Sequence, residues 1–200
     1  MRCVISRVGS SSDVATRAGL KKVGLDPDKD VSLIQVGSLQ ARTAAMLSGA
    51  IQGAAANPPD TLTLEDEGFH PVIDLAELNL PATNNTISST GAWSAAHKDE
   101  VQRYVDSVVE SINRMKKDRA FGIDVLKRNL KMDDQRKLDA TYDYWITKSM
   151  PSLPYADAKQ FPDSVDAVAS KNPKAKDYDL NKLIDSSYMK SAADRGVDKR

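Results

Sequence analysis

Short apolar runs alternate with amphipathic stretches through the first third of the chain, after which nearly every segment is amphipathic. Cys3-Val4-Ile5 is an apolar run opening into Gly9-Ser10-Ser11-Ser12-Asp13, and apolar positions at Val14, Ala15, Ala18 and Leu20 then predict a helix over 14–23. Gly24 and Pro27 stop it, one by tolerating a left-handed cap and the other by lacking an amide donor. Val31 to Val36 predicts a β-branched strand, and Leu39, Thr43, Met46 and Leu47 a helix closed by Ser48-Gly49. A strand of small residues over 52–56 meets Asn57-Pro58-Pro59, where two prolines bar further pairing. A helix over 60–67 and a strand over 70–75 complete the series. Such alternation predicts right-handed βαβ units in a largely parallel α/β sheet covered by helices.

Beyond residue 76 the pattern changes. Asn79, Pro81, Asn84 and Asn85 form a polar crossing, and a serine- and threonine-rich strand is predicted over 86–93. The clearest helix covers 99–117, with Val101, Tyr104, Val105, Val108, Val109, Ile112 and Met115 on one face. A helix over 121–130 follows, and Asp133-Asp134 starts another that carries Leu138, Tyr142, Trp145 and Ile146 on one side and ends at Pro151 and Pro154. The remainder predicts a helix over 157–170 interrupted by Pro162, a turn at Asn172-Pro173, and short helices over 179–193.

Composition narrows the function classes. The 200 residues hold 28 basic and 28 acidic side chains, so no global field favours nucleic acid or an anionic membrane, and any ligand site must be local. Cys3 is the single cysteine, which excludes an intrachain disulfide and a multi-cysteine zinc site. No run reaches the roughly 20 apolar residues of a membrane helix, and the chain shows no signal peptide before its first strand. His70 and His97 lack ligand-spaced partners, no nucleophile elbow is present, and no metal, cofactor or catalytic residue is expected. Trp93 and Trp145 read as packing residues without a basic stripe beside them, and Lys116, Lys117 and Arg119 as a solvated helix end.

The candidate site is the passage from the first strand into the first helix. A helix leaves its first amides without intrahelical partners at the positive end of its dipole, so Gly9, Ser10, Ser11 and Ser12 can hold an oxyanion through N–H groups and hydroxyls. Simple capping of the helix by Ser11, Ser12 or Asp13 is the alternative. Asp13, a carboxylate, would compete with an anion for those amides, which favours capping or orienting a serine. Asn57 and Pro58 follow another strand end, where α/β sheets bind ligands, and Asn57 could offer its amide there or merely shape a turn. Gly37, Ser38 and Gln40 follow a strand end too, and helix capping explains them.

Four strings carry a resemblance: Val4-Ile5-Ser6-Arg7-Val8-Gly9-Ser10-Ser11-Ser12-Asp13, Gly24-Leu25-Asp26-Pro27-Asp28-Lys29-Asp30-Val31, Gln40-Ala41-Arg42-Thr43-Ala44-Ala45-Met46-Leu47-Ser48-Gly49-Ala50, and Lys171-Asn172-Pro173-Lys174-Ala175-Lys176. In this order they resemble type II periplasmic solute-binding proteins of ABC importers, in the class serving sulfonates, taurine, nitrate and thiamine-pyrimidine precursors. The resemblance implies two α/β lobes with a ligand clamped between them. Residues 1–78 would be the second lobe, 79–92 a hinge crossing, and 93–200 the helical return of the first lobe, whose opening part this chain would lack. The implied function is non-catalytic capture of a small anionic solute for a membrane permease, in the periplasm or anchored outside the membrane. The site would be Gly9, Ser10, Ser11, Ser12, Asp13, Asn57 and Pro58. A truncated fragment without transport activity is the alternative, with self-association through helix faces such as Val101, Val105, Val108 and Ile112 left uncovered. A thiamine-pyrimidine synthase, which shares the fold, calls for a cysteine-rich motif that Cys3 alone does not supply. An effector-sensing regulator calls for a preceding helix-turn-helix.

Overall fold

The structure, a computed structural model, describes residues 1–75, 77, 86–169 and 172–200. The crossing predicted at Asn79, Pro81, Asn84 and Asn85 lies outside them. The chain divides into two units, Met1–Asn84 with Ala158–Asp179, and Asn85–Asp157 with Leu180–Arg200. Helices and strands are numbered along the chain.

In the first unit, β1 (Arg2–Ile5), β2 (Ser32–Gln35) and β3 (Gly53–Ala54) form a parallel three-stranded sheet in the order β2-β1-β3. Each strand leads into a helix: α1 (Ser11–Lys22), α2 (Leu39–Leu47) and α3 (Asp60–Asp66). Successive side chains of a strand point to opposite faces. Cys3 packs with Leu20 of α1 and with Val31, whereas Val4 packs with Met46 of α2, Ile51 and Leu64 of α3. Helix α1 therefore covers one face, and α2 with α3 covers the other. A central parallel strand covered on both faces needs an unbroken apolar run, and Cys3, Val4 and Ile5 are 5%, 0% and 0% exposed. Farther along the chain, α8 (Pro162–Ala169) lies against α1.

Two sequence expectations are corrected in this unit. β3 is only two residues long, because the Ala55 carbonyl accepts a hydrogen bond from Arg42 instead of continuing the ladder. Residues 70–75 form no strand: among the described residues no strand pairs with them, and Val72 is 92% exposed. A β-branched run without a neighbouring strand has nowhere to place its backbone hydrogen bonds except solvent.

The second unit is helical among its described residues. Helix α4 (Gly91–Ala96) replaces the strand predicted over 86–93, because the Thr90 hydroxyl accepts the Trp93 amide and caps a helix. The long α5 (Lys98–Lys117) buries Val109 and Ile112, as its periodicity predicts, while Tyr104 on the same predicted face stays exposed. Val109 packs with Ala192 of α9 (Ser187–Asp194) and with Val197, flanked by Val105, Leu153 and Met189. The expectation that this stripe stays uncovered is corrected around Val105 and Val109, where the C-terminal part of the chain folds back over it, while Val101 and Val108 stay partly exposed. Polar bonds fix the return, with both Arg195 Nη atoms donating to Asp106 at 2.7 and 2.6 Å and Gln102 donating to the Tyr188 carbonyl at 3.0 Å.

Helix α6 (Arg119–Leu130) turns at left-handed Lys131, and α7 (Gln135–Tyr142), capped by Asp134, runs on as a π-helical turn over Asp143–Ser149. Arg119 is not a free solvated charge. It donates to Asp139 at 2.7 Å and Asp143 at 2.6 Å while its guanidinium lies over the Tyr142 ring. Lys117 likewise donates to the Arg200 carbonyl.

Candidate functional site

Because the sheet is parallel, the outgoing loops of β1, β2 and β3 all leave from one edge. The order β2-β1-β3 makes the boundary between β1 and β3 a switch point: the chain leaves β1 toward the face covered by α1 and leaves β3 toward the face covered by α3. Loops that diverge in this way leave a crevice outside the strand ends. The passage from β1 into α1 contains Gly9 and Ser10 in the loop and Ser11, Ser12 and Asp13 in the first turn of the helix, and the loop after β3 contains Asn57 and Pro58. The topology thus brings both predicted segments to the same edge on adjacent strands.

Hydrogen bonds fix the first loop internally. Ser10 donates to the Arg7 carbonyl at 2.7 Å, which commits its single hydroxyl proton. Its 2.9 Å contact with Ser12 is therefore donated by Ser12, whose oxygen in turn accepts the Ser6 amide at 2.9 Å. The chain runs from the Ser6 amide through Ser12 and Ser10 to the Arg7 carbonyl. Ser10 is also the N-cap of α1, accepting the Asp13 amide, so the helix begins at Ser11 rather than at Val14. Asp13, 1% exposed, accepts the Gly9 amide on one oxygen and Arg17 Nε on the other, both at 2.7 Å. Arg17 extends to Asp28 at 2.7 Å, and Asp28 first, then Asp13, holds its guanidinium charged. Gly9 sits at φ +79°, a conformation that a side chain would strain, although a Cβ would meet no neighbour there. Val8 donates to Gln35 at 3.1 Å and joins the loop to the end of β2.

The predicted residues divide by what their polar atoms already bond. The hydroxyls of Ser10 and Ser12 and both oxygens of Asp13 are spent inside the loop. Among the described residues, no acceptor meets the Ser11 and Ser12 amides or the exposed Ser11 hydroxyl. They are the first two N–H groups of a twelve-residue helix, at the positive end of its dipole. On the loop after β3, the Asn57 carbonyl accepts the Asp60 amide and starts α3, the Pro58–Pro59 peptide is cis, and Asn57 is half-buried.

One residue at this edge escaped the sequence reading. Arg42 of α2 is 8% exposed, and its Nη1 donates to the Ala55 carbonyl at 2.9 Å, one residue beyond β3. Burial pushes its pKa down and Asp60 pushes it back up, though a guanidinium stays charged in either case. The signal was its spacing: Arg42 stands four residues before buried Met46 and so shares the inward stripe of α2.

Other parts of the molecule offer less. A cleft of about 530 Å³ between α6 and α7 is lined by Arg119, Ile123, Asp124, Lys127 and Asp139. Its charges neutralise one another, with Arg119 on Asp139, Arg128 on Asp124 and Lys127 on Asp133. Burial raises the pKa of the Cys3 thiol, which keeps it protonated inside the sheet. Among the described residues no cluster of histidine, cysteine or acidic side chains could hold a metal ion, and no helix is long and apolar enough to cross a membrane.

No curated protein and no solved structure matches the chain. Residues 3–125, from β1 into α6, match the NMT1-like family. That family groups solute-binding proteins of ABC transporters that are mostly non-catalytic and usually extracytoplasmic. With more than half its length inside the match and a parallel α/β unit of the family's kind, the chain belongs to the NMT1-like family of type II periplasmic binding proteins.

Proposed function

We propose that the chain is the substrate-binding component of an ABC importer, capturing a small anionic solute of the sulfonate, nitrate or thiamine-precursor type without chemical change. The observation that carries this reading is the pair of unspent amides of Ser11 and Ser12 beside the free Ser11 hydroxyl, at the switch point of a parallel sheet. Donors already fixed in place bind an oxyanion without reorganising, and the dipole of α1 favours its charge. Gly9, Ser10, Ser12 and Asp13 hold the loop in shape, and Asn57 and Pro58 form the opposite wall. Residues 1–78 are assigned to the second lobe of the family fold, 79–92 to the hinge crossing and the helical remainder to the first lobe. Closure of two lobes around the solute sets affinity, and an extracytoplasmic complex with the permease receives it.

Calorimetric titration with ethanesulfonate, taurine, nitrate and a hydroxymethylpyrimidine tests the reading. It predicts heat with at least one anion, reduced severalfold by Ser11→Ala. Binding unchanged by Ser11→Ala removes the Ser11 hydroxyl from the site, and absence of heat with every member of the series contradicts the proposed solute class.

A further inference from the structure

Arg42 is the unexplained charge of the first unit. It is more than nine-tenths buried, yet its only hydrogen bond among the described residues runs from Nη1 to the Ala55 carbonyl. Its Nε–H is fully enclosed and, among the described residues, meets no acceptor. Burying a cation is costly unless an anion and hydrogen bonds compensate, and leaving a charged donor unpaired adds to that cost. Asp60 supplies attraction but no hydrogen bond to Arg42; one of its oxygens accepts the Thr43 hydroxyl at 3.0 Å, and the residue opens α3, where the helix dipole stabilises a carboxylate. The guanidinium thus keeps its Nε–Nη2 edge uncommitted. That edge presents two parallel N–H groups, the fork that matches two oxygens of a carboxylate, sulfonate, phosphate or nitrate.

Its place in the fold gives the edge a use. Arg42 stands on the helix leaving β2 and bonds the carbonyl just past β3, and the strand between those two is β1. The loop leaving β1 carries the unspent Ser11 and Ser12 amides. The geometry points to Arg42 as the charge-recognition residue of the site, its enclosed Nε–Nη2 edge uncovered by a shift of the side chain to receive the oxyanion group of the solute on the β3 side of the switch point. This rests on the proposed function and deepens it: selectivity for an anion over a neutral solute of the same shape comes from Arg42, while the amides of α1 orient the ligand.

The test is a titration of the full chain followed by ¹⁵N–¹H spectra of the arginine Nε–H groups, with Arg42 assigned by through-bond correlation to its own backbone. Sodium ethanesulfonate and sodium nitrate are added against sodium chloride at matched ionic strength. The Arg42 Nε–H is expected to shift and to exchange more slowly with water on addition of one of the two anions, with no change in chloride. Arg42→Lys, which keeps the charge and loses the fork, is expected to weaken that anion about tenfold. Movement of the Ser11 and Ser12 amides with the Arg42 Nε–H unmoved, or unchanged affinity in Arg42→Lys, overturns the inference and leaves the proposed function standing. No movement at any of these groups with either anion overturns both.

Discussion

The Asp13 carboxylate closes the loop after β1 by holding the Gly9 amide at 2.7 Å, and its second oxygen holds Arg17 Nε at the same distance. Asp13 is almost fully buried, so removing it leaves an unpaired loop amide and a half-covered guanidinium. Asp13→Ala is expected to cost about 2–3 kcal/mol, below the loss for a wholly buried pair because Arg17 keeps Asp28 and water. Asp13→Asn retains an acceptor for Gly9 and loses roughly half as much. Urea denaturation midpoints measure both, and equal losses in the two variants would contradict the arrangement.

The three adjacent serines separate stability from binding. Ser10→Ala removes the cap of α1 and is expected to cost about 1 kcal/mol. Ser12→Ala orphans the Ser6 amide and costs about 1–2 kcal/mol. Ser11→Ala touches no internal bond and stays within about 0.5 kcal/mol of the parent. Only Ser11→Ala should weaken anion binding without lowering the thermal midpoint.

The Asp106–Arg195 pair gives α9 an acid-sensitive tie to α5. The hydrogen bond from Arg195, helped by Gln102, holds the Asp106 carboxyl below its ordinary range. A folded-state pKa below the unfolded one means that stabilisation is complete above the unfolded value, about 3.9 for aspartate, and disappears as pH falls through the lower folded value. Thermal midpoints of the parent and Asp106→Asn should therefore differ by a constant amount near neutrality and converge below about pH 4. A gap that does not narrow at all as pH falls below about 4 would show that the pair's charge is not what stabilises the contact.

Gly122 lets α6 approach α7. A Cβ there would stand 2.5 Å from the Tyr142 ring, which is itself tied by its hydroxyl to the Met115 carbonyl at 2.7 Å and covered by Arg119. Alanine improves helix propensity by about 1 kcal/mol. The clash with a ring that cannot swing away outweighs that gain, and Gly122→Ala is expected to destabilise by about 2 kcal/mol net. An increase in the denaturation midpoint would contradict this packing.

The parallel sheet was legible because its signals were local and agreed: an apolar run at Cys3-Val4-Ile5, a Gly24 stop, a β-branched strand before a capped helix. The stripe of α5 was legible through Val109 and Ile112 for the same reason. Failures came where a missing neighbour strand or a side-chain cap decided. Val72-Ile73 has strand composition and no strand beside it among the described residues, and Thr90 reads as a strand residue until its hydroxyl caps α4. The serine loop was found as a segment, yet its sequence could not reveal that Ser10, Ser12 and Asp13 spend their side chains inside the loop. Arg42 was hidden in an ordinary amphipathic helix, since its meaning depends on Ala55 thirteen residues away.

The most direct measurement of solute binding at the switch point is backbone amide shift mapping of the full chain during titration with ethanesulfonate or nitrate. The largest movements are predicted at Ser11 and Ser12, followed by Asn57, with the α6–α7 cleft around Ile123 and Lys127 unmoved. Shifts concentrated in that cleft, or absent at Ser11 and Ser12 while binding heat is measured, would contradict it.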